Sequence, residues 1–261
     1  MMLAAGRENA RHKLQAALPG YAAGTHAAAH HPHAMAALYR QLGVCSLLTG
    51  GVAEPLQLAL MQAASAYLFR LPAMHDDDKV TSRGGAFWDA VGGGYWDAAA
   101  DIAAASRSTF NPAWEHEDDF LHVWFVMSRY FRRPAATKRE QKALLDRWSV
   151  VLDGAHDPRR DLCDALLRGD AAGFRAAFAD VADAREADVR AQIAALTLSD
   201  EHAAWYLPFW GEGLALLRLA ERDGLATDEH CRMVPQICRV PCPFAYDADA
   251  WRRIDFTPRR V

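Results

Sequence analysis

The sequence lacks the patterns that build β-sheets. Runs of β-branched residues are nearly absent, and no segment of useful length alternates apolar and polar residues. Alanine, leucine and arginine are abundant instead. Hydrophobic residues make up 51% of the 261 positions and charged residues 24%, as in an ordinary globular protein. An all-α fold is therefore predicted.

Little in the sequence would direct it out of the cytosol. Charged residues appear at Arg7 and Glu8, before any apolar stretch long enough for a signal peptide. The longest apolar region, 55–71, is too short to span a membrane. Its polar interruptions are Gln57, Gln62, Ser65 and Arg70. The five cysteines lack regular close pairing, which suits a reducing compartment. We expect a cytosolic protein without a membrane partner.

The sequence has no excess of basic charge. The formal net charge is -4, and the calculated isoelectric point is near 6.2. General nucleic-acid binders usually carry a strong basic excess, because they neutralise phosphates. No nucleic-acid partner is predicted.

Helical spacing recurs along the chain. Apolar residues at i, i+4, i+7 and i+11 place Leu56, Leu60, Ala63 and Tyr67 on one helix face, and Phe120, Trp124, Met127 and Phe131 on another. Helix ends or starts are predicted at Asn111-Pro112, Gly169-Asp170, Ser199, and Gly224 with Thr227. The short connections predict stacked antiparallel helical hairpins.

Three segments do not fit a helix. Gly92, Gly93 and Gly94 should break or bend one, and 75–85 is polar and predicts a loop. The prolines after Val240 predict an extended C-terminal tail. A single domain over 1–261 is predicted, with a possible division into an N-terminal half, 1–110, a hairpin half, 111–240, and the tail, 241–261.

The motifs of common enzyme classes are missing. The sequence contains no GxxxxGK[ST] phosphate loop, no GxGxxG after a strand and no GxSxG nucleophile motif. The three consecutive glycines lack the lysine that a phosphate loop requires. No catalytic residue and no cofactor is predicted.

Three groups of residues leave metal binding open as an alternative. They are His26, His30, His31 and His33 near the N-terminus; His116, Asp119 and His122; and His230, Cys231, Cys238 and Cys242. None has the spacing of a common zinc site, and the second contains only one of the carboxylate-x-x-His units that helical di-iron sites use twice. Solvated histidines, helix-start charges and buried cysteines are the favoured interpretations.

Charged and aromatic side chains indicate candidate binding surfaces. The acidic candidates are Asp76, Asp77, Asp78, Glu115, Glu117, Asp118 and Asp119. They could form a face for a basic partner, although acidic residues also stabilise helix starts for local reasons. Trp88 and Trp96 flank the three glycines and could anchor an interface or pack in the core, and the core is favoured because large aromatic residues are mostly buried.

The second half resembles a known family. The residues that carry the resemblance are 163–170 (CDALLRGD) with Phe174 and Phe178, then Leu216, Leu219, Ala220, 224–225 and 234–235. The first half adds 96–100 (WDAAA). Together these residues are similar to the immunity protein 49 family, helical proteins encoded beside toxins of bacterial polymorphic toxin systems. The resemblance implies a cytosolic inhibitor that binds one cognate toxin, and it implies no catalytic residues.

The leading hypothesis is therefore an immunity protein that neutralises a cognate toxin by binding it, and not an enzyme. A helical metal-dependent enzyme is the second hypothesis, using His116, Asp119 and His122 or the N-terminal histidines. The third is a helical-repeat adaptor protein, which would bind several partners.

Overall fold

The computed structural model describes residues 2–25 and 31–256, and the regular secondary structure in this part is helical. The helices are α1 (Met2–Ala22), α2 (Pro32–Gly50), α3 (Glu54–Arg70), α4 (Gly85–Gly93), α5 (Trp96–Ala105), α6 (Glu117–Tyr130), α7 (Lys138–Leu152), α8 (Pro158–Arg168), α9 (Ala171–Ala194), α10 (Asp200–Tyr206) and α11 (Gly211–Arg222). No β-strand occurs in these residues. The prediction of an all-α fold is confirmed.

Neighbouring helices pack as antiparallel pairs, as the short connections predicted. The most extensive pairings join α1 with α2, α2 with α3, and α8 with α9. Other contacts join elements distant in sequence: α11 packs on α4, and α10 packs on α1 and α2. Within the described residues, no helix is both long and apolar enough to cross a membrane.

Several predicted helix ends are confirmed, because the local sequence supplies the cap. Gly169 ends α8 in the left-handed conformation (φ 70°), and the Asp170 side chain then caps α9 by accepting from the Gly173 N–H. Ser199 caps α10 by accepting from the His202 N–H. Gly92 and Gly93 form the end of α4, and Gly94 terminates it at φ 80°, so the helix breaks at the three glycines before α5 begins.

Two predicted helix starts are wrong. Asn111 begins a single turn, in which Glu115 accepts from the Asn111 N–H at 3.0 Å, and α6 starts only at Glu117. No helix begins at Thr227. There the Arg239 guanidinium donates to the Thr227 hydroxyl and to backbone carbonyl groups of the same segment, at 3.1 Å for Glu229. These tertiary hydrogen bonds hold the segment out of a helix.

The C-terminal tail runs across the N-terminal helices, as predicted. It contains one short 3₁₀ turn, Ala250–Arg252, and the Trp251 side chain is buried. The polar residues of α3 bind it: Gln57 donates to the Val240 carbonyl at 3.2 Å, Gln62 donates to two further carbonyl groups of the tail at 3.0 Å, and Ser65 accepts from the Trp251 N–H at 3.1 Å. Three of the four residues that interrupt the apolar run of α3 therefore fix the tail.

Candidate functional site

The first acidic cluster is an exposed turn between α3 and α4. Asp76–Asp78 forms a 3₁₀ turn, in which the side chains of Asp76 and Asp77 are 64% and 77% exposed. The cations that pair with them, Lys79 and Arg107, are only 16% and 19% exposed. The nitrogen–oxygen distances are 3.6 Å from Lys79 to Asp76 and 3.2 Å from Arg107 to Asp77. The carboxylates therefore face solvent, with their counterions beneath them.

Glu115 connects the turn before α6 to the segment that follows the acidic turn. It accepts from the Ser82 N–H at 2.8 Å, while Asn111 donates to the carbonyl of Asp77 at 3.0 Å. These two bonds join the turn that precedes α6 to the acidic turn. Trp114, in that same turn, is 61% exposed. We call Asp76, Asp77, Asp78 and Trp114 the acidic loop surface.

The remaining predicted acidic residues lie elsewhere and are paired with arginines. Both oxygens of Glu117 accept from Arg147, at 2.6 and 2.7 Å. Asp118 and Asp119 both accept from Arg159, at 2.9 and 2.6 Å. Glu117 is neutralised by its own arginine, whereas Asp118 and Asp119 share one arginine and keep a net negative charge. Among the described residues, no hydrogen bond or ion pair joins them to Asp76–Asp78.

Trp88 and Trp96 lie in different surroundings. Trp88 is buried in α4, with its ring centroid 5.7 Å from that of His122. Trp96 is half-buried and stacks near Phe131 at 6.2 Å, with the Arg222 guanidinium 4.9 Å from its ring centroid. Trp88 lines a cleft that Trp96 does not line.

This cleft encloses about 570 Å³ between α2, α4, α8, α9, α10 and α11. Its aromatic lining comes from Trp88, Trp205, Tyr206, Phe209 and Trp210, and its charged lining from Arg40, Asp89, Asp157, Arg159, Arg185, Asp188 and Glu212. Helices from both ends of the chain therefore build it. An aromatic cavity with a few convergent charged groups is the usual form of a ligand site.

One wall of the cleft is held by a buried ion pair between α2 and α4. Arg40 donates two hydrogen bonds to Asp89, each of 2.6 Å, and the Asp89 side chain is fully buried. Gly85 makes room for it, since a Cβ there would lie 2.7 Å from the guanidinium. The two parallel bonds fix the planar guanidinium against the carboxylate.

A second charged group forms at the start of α8. The Asp157 side chain caps this helix by accepting from the Arg159 N–H at 2.9 Å and also binds the Arg159 guanidinium. Arg159 thus contacts three carboxylates, those of Asp157, Asp118 and Asp119. This pairing raises the pKa of Arg159 further, so the group keeps its charge.

Glu212 lies in the first turn of α11 and has 27% of its side chain accessible. It accepts no hydrogen bond from the residues that the structure describes. The Nδ1 atom of the buried His122 lies 3.7 Å from its carboxyl, beyond hydrogen-bond length. Burial raises the pKa of the Glu212 carboxyl to about 7, with Arg159 and Arg185 opposing the shift. Burial lowers the pKa of His122 to about 3.

The candidate metal ligands do not converge. Asp119 binds Arg159, and His122 lies between the rings of Trp88 and Trp148 at 5.7 and 5.8 Å. Within residues 2–25 and 31–256, no group of three or more His, Cys, Asp or Glu side chains could hold a metal ion. His26 and His30 lie outside the described residues. Cys238 is buried, and the sulfur of Cys242 lies 3.1 Å from the Tyr95 hydroxyl.

Most of the cleft was not predicted from the sequence. Trp88, Asp118 and Asp119 were singled out and lie in or beside it, but Glu212, Arg159 and the Arg40–Asp89 pair were not. Glu212 is indistinguishable in sequence from other acidic residues in a first helical turn. The one local signal was the dense aromatic run before it, 205–210 (WYLPFW).

In comparisons with known proteins, no family model, no curated protein and no solved structure matches the chain.

Proposed function

We propose that the protein binds and neutralises a cognate protein toxin, as the resemblance to the immunity protein 49 family implies, and that the toxin docks on the acidic loop surface. The observation that carries this proposal is Trp114, a large aromatic side chain 61% exposed beside carboxylates whose counterions are covered. Tryptophan is enriched among the residues that dominate protein–protein affinity.

The negative charge of this surface indicates the charge of the partner that it would bind. Asp76 and Asp77 face solvent, whereas Lys79 and Arg107 lie mostly beneath them, so an approaching protein meets negative charge first. Complementary charge accelerates encounter and selects against acidic competitors. The partner surface should therefore be basic, with an apolar pocket for the indole of Trp114.

The proposal is tested with the product of the neighbouring toxin gene. The two purified proteins should form a stoichiometric complex that blocks the toxin. Trp114→Ala should weaken the complex by about 30-fold or more, the loss typical of an interface hot spot. Leu196→Ala, at a side chain that is 90% exposed, is the matched control and should bind like the parent. Absence of a complex would refute the function.

The charge contribution is tested separately, by association kinetics. Replacing Asp76 and Asp77 with asparagine should slow association and reduce its salt dependence. Asp118 and Asp119 are unsuitable for this test, because their loss would leave Arg159 without two of its three carboxylate partners. If the toxin binds but neither Trp114→Ala nor the Asp76/Asp77 change affects it, the docking surface lies elsewhere.

A further inference from the structure

The cleft holds three arginines, but their hydrogen-bonding capacity is largely used within the protein. Arg40 is bound by Asp89, and Arg159 by three carboxylates. Arg185 donates to the carbonyl groups of Tyr206 and Phe209, at 2.7 and 3.1 Å, and to the sulfur of Met233 at 3.2 Å. These cations are therefore committed to the fold, which argues against an anionic ligand.

Glu212, unlike these arginines, is not engaged by hydrogen bonds within the described part of the protein. Glu212 lines the cleft with 27% of its side chain accessible, and its carboxyl accepts no hydrogen bond from the described residues. The Nε2 atom of the adjacent His122, in contrast, is buried and has no hydrogen-bond partner among these residues. The open acceptor in the cleft is thus a carboxylate that an incoming donor could bind.

The charge balance around Glu212 favours a cation. Besides the three arginines, six carboxylates line the cleft or bind Arg159 directly: those of Asp89, Asp118, Asp119, Asp157, Asp188 and Glu212. The walls are aromatic, and aromatic faces attract organic cations through the ring quadrupole. Trp88, Trp205 and Trp210 supply the indole rings.

We propose that the cleft binds one organic cation with N–H donors, a guanidinium or a primary ammonium group, with Glu212 as its counterion and the tryptophans as its walls. The group is either the side chain of a protein partner or a free amine. This site is distinct from the acidic loop surface, and the inference does not depend on the toxin.

The probes are blocked arginine (N-acetyl-arginine methylamide), its neutral isostere blocked citrulline, free arginine and inorganic phosphate. Binding is followed by calorimetry and by tryptophan fluorescence, since three indoles line the cleft. Blocked arginine should bind saturably and blocked citrulline should not. Tighter binding of blocked than of free arginine indicates a side chain as the natural ligand, and the reverse indicates a free amine. Equal binding of citrulline, or binding of phosphate alone, would overturn the proposal.

Glu212→Gln removes the charge and keeps the shape, and it should weaken blocked arginine about tenfold or more. Glu54→Gln is the matched control, because Glu54 is an exposed residue in the first turn of α3 and does not line the cleft. It should bind like the parent. A Glu212→Gln protein that folds and binds as tightly as the parent would refute the role of Glu212.

The pH dependence gives a second measurement on the parent. The charged and titratable groups packed around Glu212 are His122, Asp119, Asp157, Arg159, Arg185, Asp188 and the Arg40–Asp89 pair. With a Glu212 pKa of about 7 and a His122 pKa of about 3, the carboxyl changes charge between pH 6 and pH 8 and the imidazole does not. Affinity for blocked arginine should rise several-fold over this interval in the parent and stay flat in Glu212→Gln. A flat parent profile would contradict the proposal.

Discussion

The carboxyl of Glu212 makes the stability of the protein depend on pH. Burial raises its folded-state pKa from an ordinary 4.5 to about 7. Below pH 4.5 the group is protonated in both the folded and the unfolded states, and it does not change the free energy of unfolding. As pH rises towards 7, the unfolded chain ionises first, so the folded state loses stability, and above pH 7 the loss stays constant.

Glu212→Gln should therefore stabilise the protein by almost nothing at pH 4 and by roughly 2 kcal/mol at pH 8, less than the full pKa shift implies because water screens a side chain that is 27% accessible. The measurement is the free energy of unfolding in urea at both pH values, with Glu54→Gln as control. A variant less stable than the parent at pH 8 would show that the carboxylate supports the fold.

Gln57, Gln62 and Ser65 show what the sequence could not reveal about individual residues. In the sequence they only interrupt an apolar run. In the structure all three are buried and bind the backbone of the tail, about 180 or more residues away. A local sequence pattern cannot identify such partners. A polar side chain in an apolar stretch indicates that a hydrogen-bond partner is needed, but not which residue provides it.

At the scale of elements, α2 and α3 approach each other closely at Gly43. A Cβ at this position would lie 2.4 Å from the Cβ of Ala59 and 3.3 Å from the Cα of Leu56. Glycine therefore allows the two helices to pack with almost no side chain between them. Backbone atoms cannot move aside without shifting a helix.

Gly43→Ala should destabilise the protein by about 1–3 kcal/mol, because overpacking outweighs the gain in helix propensity. Gly50→Ala is the control in the same helix. There the nearest atom would be 3.9 Å away, in ordinary contact, and stability should be unchanged or slightly raised. Thermal unfolding of both variants tests this. Equal effects of the two substitutions would contradict a close crossing at Gly43.

Helix ends were predictable from the sequence only where the cap is local. Gly169-Asp170 and Ser199 act through residues at most three positions away, so their signal is contained in the sequence. The wrong predictions have distant causes. Asn111 is tied to Asp77 and Thr227 to Arg239, and these contacts replaced the expected helix starts.

At the scale of the whole molecule, the tail is part of the core. Trp251 is 1% exposed, and its ring meets that of Tyr21 at 5.5 Å and that of Phe69 at 4.4 Å. The Tyr39 hydroxyl donates to the Trp251 carbonyl. One residue of the tail thus contacts α1, α2 and α3 together.

Trp251→Ala should lower the free energy of unfolding by about 3–5 kcal/mol, the usual loss for a large buried aromatic side chain. Trp114→Ala is the matched control. Its side chain is 61% exposed, so the cost should stay below about 0.5 kcal/mol. The stability of both variants is measured by denaturant unfolding, with circular dichroism and fluorescence as the probes. Similar losses in the two variants would mean that the tail does not stabilise the core.

The cleft is also a property of the whole molecule. Trp88 and Asp89 come from α4, Arg159 from α8 and Glu212 from α11, and no two of these elements are adjacent in sequence. Helical periodicity predicts which face of each helix is buried, but not which helices share a wall. The fold class could therefore be predicted from the sequence, whereas the cleft could not.

The position of Trp251 near the C-terminal end determines the order in which the core can be completed during synthesis. The ribosome completes α1, α2 and α3 long before it reaches the tail, which lies 212 residues beyond Tyr39. Until then, the groove that the indole will fill stays open to water, and contacts of such long sequence separation form late. This apolar groove is therefore exposed during most of the synthesis of the chain. The N-terminal helices are the segment that a chaperone would shield.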